Sequence, residues 1–388
     1  MISHNEIYLD NSATTKVLDS VKEIVVKTMT EDYGNPSARH RKGKEAEDYV
    51  KEAADIIAKT LKVQPKEILF TSGGTESNNT ALIGAAMANK RAGNHIVTTR
   101  IEHPSVYNPL IFLEELGFEV TYLSVDGDGH ISLEELRESL CPDTILVSIM
   151  YVNNEIGAVE PIEAISSVIR EKSPKALFHV DAIQAYGKYQ IRPKKQGIDL
   201  LSVSAHKIHG PKGVGFLYIN EKAKVKPLIL GGGQQRNMRS GTENVPGIAG
   251  LGQAAREAYT DFEEKISYIC SLKDYFTDRV SELDGVVVNS KKGLDSAPQI
   301  ASVSFRGVRS EVLLHALEEK GIYVSSGSAC SSNHPAISGT LKSIGVGREY
   351  LDATLRFSFS RFNTTEEIDR CMEALKELLP VLRRYQRG

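Results

Sequence analysis

Short apolar runs alternate with helix-compatible stretches along residues 65–220, and this alternation constrains the fold more than any other feature of the sequence. Runs of about four to eight apolar residues are typical of strands covered by helices on both faces. Strands are predicted at 68–70, 95–99, 119–125, 144–150, 176–181, 199–205 and 214–219. Helical patterns occupy 76–91, 105–116, 132–140 and 161–171. The order predicts an α/β fold with a mostly parallel sheet covered by helices.

The pattern changes after about residue 260. Apolar side chains then recur every three or four residues, which predicts one buried face of a long helix. They are Phe262, Ile266, Ile269, Leu272, Phe276, Val280 and Leu283. Near the end, Thr364 and Glu367 have the spacing of a capping box that opens a last helix. We predict a large domain over residues 16–260 and a smaller α/β domain built from residues 1–15 and 261–388.

Composition excludes several classes of function. Lys and Arg total 47 and Asp and Glu total 50, for a net charge of −3, so the chain lacks the basic field that binds nucleic-acid phosphates. The longest apolar run, 81–88, is far shorter than the roughly 20 residues of a membrane helix. The four cysteines show no CxxC spacing, which indicates neither a disulfide framework nor a zinc site. We therefore expect a cytoplasmic protein with no membrane or direct nucleic-acid partner.

A lysine follows the strand predicted at 199–205. Lys207 precedes a turn rich in glycine, and ligands of parallel sheets bind beyond the carboxyl ends of the strands. A lysine there can form a Schiff base with an aldehyde cofactor. The alternative is a solvated surface lysine, which is the usual state of this residue type.

A carboxylate ends the strand predicted at 176–181. Asp181 is costly to bury unless it meets a cation, and a protonated pyridine nitrogen is such a cation. Gln184 lies three residues later and can donate to a ring oxygen. Alternatively, Asp181 caps the helix that follows it.

Two further strand ends carry polar groups. Gly73, Gly74 and Thr75 lie between a strand and a helix, where free N–H groups form a site for a phosphate. The segment lacks the lysine of an ATP-binding P-loop and the GxGxxG pattern of dinucleotide binders. His103 follows the next strand, where an imidazole can stack on a flat ring and move protons. Its alternative is a hydrogen-bonded histidine at a helix start.

One segment is similar to a calcium-binding loop. Residues 124–135 place acidic side chains at several EF-hand positions, but Ser124 stands where the first aspartate ligand belongs. A strand pattern precedes the segment in place of the entering helix. We interpret it as a turn into a helix that begins at Ser132, and expect no resident metal.

Together these motifs resemble the fold-type I pyridoxal-phosphate enzymes of aminotransferase class V, and within them the cysteine desulfurases of the NifS/IscS group. The resemblance runs nearly end to end and keeps the family's order. It is carried by YLDNSATT (8–15), GNPSARH (34–40), SGGTES (72–77), EHPSV (102–106), NNEIG (153–157), HVDAIQ (179–184), SAHKIHGPKG (204–213), RSGTEN (239–244), SSGSACSS (325–332) and LRFSFSRFNTTEEID (355–369).

The resemblance implies a role for each matching residue. Lys207 is expected to bind pyridoxal phosphate covalently, with Asp181 on the ring nitrogen, Gln184 on the ring oxygen and His103 stacked on the ring. The residues implied for the phosphate are Gly74, Thr75, Ser204 and His206, and Thr242 from the neighbouring subunit of a homodimer. Asn154 is implied to contact the cofactor and, with Arg356, the substrate α-carboxylate.

Cys330 is the implied nucleophile. Its thiolate is expected to take sulfur from L-cysteine, leaving L-alanine and an enzyme persulfide for a protein acceptor, such as an iron–sulfur scaffold or a thiolation enzyme. Cys330 can also serve as a transient iron–sulfur ligand. The Ser- and Gly-rich sequence around it is typical of an exposed, mobile loop, whereas Cys141, Cys270 and Cys371 are predicted to be structural. The alternatives are a selenocysteine lyase or transaminase of the same fold, and a non-enzymatic sulfur-assembly scaffold.

Overall fold

The predicted alternation of strands and helices is present in the structure, a computed structural model that describes residues 6–293, 296–326 and 338–385. Its helices are α1 Asp19–Thr30, α2 Arg41–Leu61, α3 Gly74–Asn89, α4 Pro104–Glu115, α5 Leu133–Ser139, α6 Ile162–Lys172, α7 Pro193–Gln196, α8 Val245–Tyr259, α9 Phe262–Ser281, α10 Ser310–Glu319, α11 Gly339–Ser343 and α12 Thr365–Tyr385. Its strands are β1 Ile7–Tyr8, β2 Ile68–Thr71, β3 His95–Thr99, β4 Glu119–Leu123, β5 Thr144–Ser148, β6 Leu177–Asp181, β7 Leu200–Ser204, β8 Gly215–Ile219, β9 Val286–Val288, β10 Ile300–Phe305, β11 Ile322–Tyr323, β12 Ser325–Ser326 and β13 Thr354–Ser358. Within these ranges, no helix combines the length and apolar character needed to cross a bilayer.

A seven-stranded sheet forms the centre of the large part of the molecule, in the order β2-β8-β7-β6-β5-β3-β4. Each predicted strand of this region is present, so the expected α/β fold is confirmed. β8 alone runs antiparallel to its neighbours β2 and β7. A parallel crossover needs about a dozen residues or more, and only 205–214 connect β7 with β8. The short connection therefore reverses the chain direction, and residues 205–214 form a turn at the carboxyl end of β7.

A second hydrophobic core lies in the smaller part of the molecule. Strands β12, β13, β10 and β9 form an antiparallel sheet, and β1 pairs with β11. The predicted face of α9 packs here through buried side chains such as Phe276, and Leu9 joins the same core. The capping box is confirmed, because Thr364 Oγ1 accepts from Glu367 N–H (3.3 Å) and Glu367 Oε2 accepts from Thr364 N–H (3.2 Å). The domain boundaries stay a prediction.

The segment similar to a calcium loop is a turn into a helix, as predicted. β4 precedes it, and Ser132 Oγ accepts from Glu135 N–H (3.2 Å) at the start of α5. Glu135 Oε1 accepts from Ser124 N–H (3.0 Å), and Asp128 pairs with Lys291 (2.9 Å). Its acidic groups are therefore engaged within the protein.

Candidate active site

A cavity of about 260 Å³ opens at the carboxyl ends of β6 and β7, next to the first turns of α3 and α4. Most of the predicted site residues line it, although they are dispersed along the sequence. They are Gly74, Thr75, His103, Asn154, Asp181, Gln184, Ser204, His206, Lys207 and Arg356. Strand ends of a parallel sheet meet at one edge, which brings these residues together.

Lys207 ends a short 3₁₀ helix, Ala205–Lys207, that directly follows β7. Its Nζ donates to the main-chain oxygens of Ser12 and Ala13, the latter at 2.9 Å. A second amine lies behind it, where Lys188 Nζ donates to the Lys207 carbonyl oxygen (2.9 Å). Burial, together with the charge of Lys207, lowers the pKa of Lys188 to about 8. The chain segment before α1 thus holds the Lys207 amine at the cavity wall.

Asp181 ends β6 and is 5% exposed. Its Oδ1 accepts from Ile183 N–H (3.0 Å) and its Oδ2 from Asn78 Nδ2 (2.8 Å). Burial raises the pKa of this carboxyl, and the hydrogen bonds and the charges of His103 and Lys207 oppose that shift. The carboxylate is thus held by neutral N–H donors and lines the cavity.

The start of α3 forms one end of the cavity. Gly73 has φ of 147°, and a Cβ at Gly74 would lie 2.2 Å from Ile183 Cδ1. Glycine at 74 therefore lets α3 approach the end of β6 without displacing Ile183 into the cavity. Ser204 and His206 come from the end of β7, and burial with the charge of Lys207 lowers the pKa of His206 to about 4.

Gln184 is buried and already engaged. Its Nε2 donates to the main-chain oxygen of Ser12 (3.0 Å), and the Gln184 main-chain oxygen accepts from Gln299 Nε2 (3.0 Å). Ser12 therefore receives hydrogen bonds from both Gln184 and Lys207. The motif at residues 8–15, to which the sequence analysis gave no individual role, therefore lines the site through Ser12 and Ala13.

Arg356 reaches the cavity from β13. Its Nη1 donates to the main-chain oxygen of Asn154 (2.8 Å), and its Nη2 pairs with Asp10 Oδ1 (3.0 Å). Burial raises the pKa of Asp10, and the guanidinium opposes that shift. Sequence reasoning assigned no role to Asp10, although it stands in the quoted segment YLDNSATT.

Two predicted residues are not among the cavity residues. Thr242 is exposed, in a turn where Gly241 N–H donates to Gln234 Oε1 (2.9 Å). An ion pair between Arg239 Nε and Glu76 Oε1 (3.0 Å) joins this turn to the start of α3. Cys330 lies outside the described residues.

The chain on either side of residues 327–337 lies beside the cavity. β12 pairs with β13 so that Ser325 is opposite Arg356. Beyond the undescribed segment, Ser338 Oγ donates to Glu155 Oε2. Glu155 directly follows a cavity residue, so both flanks of the segment that carries Cys330 adjoin the site.

Glu102 is a buried acid behind the site that sequence reasoning missed. Its Oε1 accepts from Thr99 Oγ1 (2.9 Å) and from Met150 N–H (2.9 Å), joining the ends of β3 and β5. Burial, with a contribution from the negative charge of Asp181, raises its pKa to about 8. The only sequence signal was its place beside His103 in EHPSV.

We expect Glu102 to make folding stability pH-dependent between pH 4.5 and about 8. The folded state keeps a proton that the unfolded state releases, so stability is fully present below pH 4.5 and is lost as pH rises through 8. The loss is on the order of 5 kcal/mol, at about 1.4 kcal/mol per pKa unit. Glu102→Gln resembles the protonated form and should lose less unfolding free energy between pH 5 and 8.

The measurement is chemical denaturation of the two proteins at both pH values. Glu115→Gln, at an exposed position of α4, is the matched control and should retain the wild-type pH slope. A Glu102→Gln slope equal to that of the wild type would contradict the prediction.

The chain matches the family described as aminotransferase class-V over residues 7–371. A protein named cysteine desulfurase IscS from Methanosarcina thermophila is 44% identical over 377 residues, which cover 97% of this chain and 93% of that protein. One of the same name from Dictyoglomus turgidum is 42% identical over 379 residues, or 97% of this chain and 95% of that protein. A solved structure titled NifS-like protein is similar with a TM-score of 0.92 and 39% identity, covering 97% of this chain and all of that one. The chain therefore belongs to the aminotransferase class-V family and, within it, to the cysteine desulfurases of the NifS/IscS group.

Proposed function

We propose that this protein is a pyridoxal-phosphate-dependent cysteine desulfurase that converts L-cysteine to L-alanine and holds the sulfur as a persulfide on Cys330. The observation that carries the proposal is the convergence of Lys207, Asp181 and Arg356 on one cavity. The flanks of the segment that contains Cys330 adjoin the same cavity. The names of the similar proteins support the same activity.

Members of this family depend on pyridoxal phosphate, and the cavity residues fit that group. Asp181 is a buried carboxylate between neutral donors, and a protonated pyridine nitrogen would supply its countercharge. The first turn of α3, with Gly74 and Thr75, would hold the phosphate. Lys207 Nζ would attach the cofactor covalently. When bound, the cofactor supplies an electron sink that stabilises negative charge developing on the carbon atoms of the substrate.

Arg356 and Asn154 would bind the substrate α-carboxylate. Asp10 and the Asn154 carbonyl anchor the guanidinium on one side. The buried Arg356 Nε lacks a partner within the described part of the chain. A substrate carboxylate would satisfy such a donor and gain a charge-assisted hydrogen bond.

Cys330 would accept the sulfur. Its thiolate attacks the sulfur of the bound L-cysteine, so an S–S bond forms as the C–S bond breaks. The electron pair of the C–S bond stays with the carbon, which takes up a proton to give L-alanine. Transfer of the persulfide sulfur to a protein acceptor, an iron–sulfur scaffold or a thiolation enzyme, then frees Cys330 for another turnover.

The test is to incubate the holoenzyme with L-cysteine and a reducing thiol, and to quantify alanine and sulfide. Equal amounts of both products are expected. A keto acid without sulfide would assign a transaminase instead, and selenide from L-selenocysteine with no sulfide from L-cysteine would assign a selenocysteine lyase. No turnover of any of these amino acids would favour the non-enzymatic scaffold.

We further propose a homodimer in which Thr242 reaches the phosphate site of the partner. Its exposed position outside the cavity supports a role in trans. A groove beside the cavity is lined by Thr75, Asn79 and Phe112 and can accept a second copy. The neighbouring face of α4 and the residue that follows the helix expose large apolar side chains, which are typical of subunit interfaces: Tyr107, Ile111, Phe112 and Leu116.

Thr242→Ala is expected to weaken cofactor binding by about tenfold, the value of one hydrogen bond to a charged group. The measurement is the dissociation constant of the cofactor. Mixed dimers of Thr242→Ala with Lys207→Ala distinguish the arrangements, because a contribution in trans leaves one fully wild-type site in each dimer. A site of wild-type affinity in the mixed dimers supports the proposal. Mixed dimers that bind the cofactor only as weakly as the Thr242→Ala homodimer contradict it.

We also propose that the protein works in the cytoplasm. Three cysteines in the described part of the chain carry free thiols: Cys141, Cys270 and Cys371. Free thiols are typical of proteins in a reducing compartment. Cys371 is fully buried, and burial raises its pKa to about 12, which suits a structural residue.

A further inference from the structure

A continuous set of hydrogen bonds joins His103 to Asp181 through Asn78 and Ser105, two residues to which the sequence analysis assigned no role. Asn78 Nδ2 donates to Asp181 Oδ2 (2.8 Å) and to Ser105 Oγ (2.9 Å). Ser105 Oγ in turn lies 2.8 Å from His103 Nδ1. Asn78 is fully buried and Ser105 is 7% exposed, so solvent does not compete for these contacts.

The direction of each hydrogen bond follows from the chemistry of its partners. A carboxylate only accepts, so the Asn78 amide must turn its NH₂ group toward Asp181; the reversed amide would set two oxygens against each other. The second Asn78 hydrogen is then directed at Ser105 Oγ, which accepts it. The Ser105 hydroxyl therefore has its own hydrogen available for His103 Nδ1.

A second donor points at the same ring nitrogen. His103 caps α4, and the Ser105 main-chain N–H donates to His103 Nδ1 (3.1 Å). A main-chain N–H cannot act as an acceptor, so His103 Nδ1 must carry a lone pair. The neutral ring then has its proton on Nε2.

We propose that Asn78 and Ser105 are positioning residues that hold His103 as a neutral imidazole with its proton on Nε2. His103 therefore enters the reaction as a hydrogen-bond donor to the cavity, and not as a base. The assignment of a role in catalysis rests on the proposed function, whereas the tautomer itself does not.

The charges around His103 agree with this state. Asp181 faces it with a negative charge and Lys207 with a positive one, and Glu102 lies close enough to Asp181 to act on it. Burial lowers the pKa of His103; Asp181 opposes the shift and Lys207 adds to it. A proton on Nδ1 would also meet the two donors and the positive end of the α4 dipole.

The test is ¹⁵N NMR of the histidine side chains in the full-length apoprotein across a pH titration, with His103 assigned from a His103→Gln variant. In the wild type, Nδ1 should have the shift of an unprotonated nitrogen and Nε2 that of a protonated one. The His103 pKa should lie below 6.5. A proton on Nδ1 in the neutral wild-type ring would overturn the proposal.

Two variants separate positioning from packing. Ser105→Ala removes one donor and should raise the His103 pKa toward 6.5. Asn78→Asp replaces the donor with a carboxyl group that shares one proton with the Asp181 carboxylate. It also competes for the Ser105 hydroxyl, and loss of that donor to Nδ1 should raise the His103 pKa. Asn89→Asp makes the same change at the other end of α3, where Asn89 contacts only main-chain oxygens, and should leave His103 unchanged.

If Asn78→Asp does not fold, Ser105→Ala decides, because it removes a single hydroxyl. An unchanged His103 titration in Ser105→Ala would refute the role of the hydroxyl whether or not the enzyme desulfurates cysteine. Failure of the proposed function would instead appear as absent sulfide with the His103 tautomer as assigned.

Discussion

Lys207→Ala is expected to reduce formation of alanine and sulfide from L-cysteine by at least about 10⁴-fold, as removal of a covalent catalytic group does. The Lys207 amine lies at the cavity wall, held by the carbonyl oxygens of Ser12 and Ala13. Alanine keeps the main chain and removes the nucleophile that would attach the cofactor. The measurement is the initial rate of both products, together with the cofactor retained after gel filtration.

Lys212→Ala is the matched control, since this lysine is exposed in the turn near the end of the same motif. It should retain wild-type activity and cofactor. Lys188→Ala adds information, because the Lys188 amine lies behind Lys207 and donates to its carbonyl oxygen. A Lys207→Ala enzyme that turns over at a tenth of the wild-type rate would assign the covalent role to another amine.

Cys330→Ala is expected to lower sulfide and alanine formation by at least about 10³-fold while the cofactor stays bound, because the C–S bond then lacks its thiolate acceptor. Transamination needs no thiol, so this variant separates sulfur transfer from other chemistry at the same cavity. The measurement is product formation from L-cysteine alongside the absorbance of the bound cofactor.

Cys270→Ala is the control for loss of a thiol elsewhere. Cys270 is half-buried on α9, where its Sγ contacts Asp274 Oδ2 (3.8 Å), away from the cavity. It should retain activity. If alanine and sulfide persist in Cys330→Ala, Cys330 is not the nucleophile and the proposed sulfur path is wrong.

Strand ends were the informative positions in the sequence. Asp181 ends β6 and Lys207 follows β7 by three residues, so the α/β alternation alone predicted that both lie at one sheet edge. Periodicity was equally informative for α9, whose apolar face packs in the second core. These features depend on local pattern, and local pattern is present in a single sequence.

Other parts of the site depend on contacts between distant segments. Asp10 meets Arg356 across 346 positions of the chain, and Ser12 meets Lys207 across 195. Asn78 lies in a polar stretch of α3, where nothing in its neighbours distinguishes it from half-buried Asn79. Because successive side chains of a helix point in different directions, the Asn78 amide donates to Asp181, whereas the Asn79 amide donates to the main-chain oxygen of Thr75.

The sequence by itself determined the α/β alternation, the residues at the strand ends and the family motifs, since each depends on spacing along the chain. Only the tertiary structure decided which groups hold those residues: Asp10 on Arg356, Ser12 on Lys207, and the pair Asn78 and Ser105 on His103. The physical reason is that a buried polar group must find a partner wherever packing places one. That partner is set by the folded geometry, and the side chain's neighbours in sequence do not reveal it.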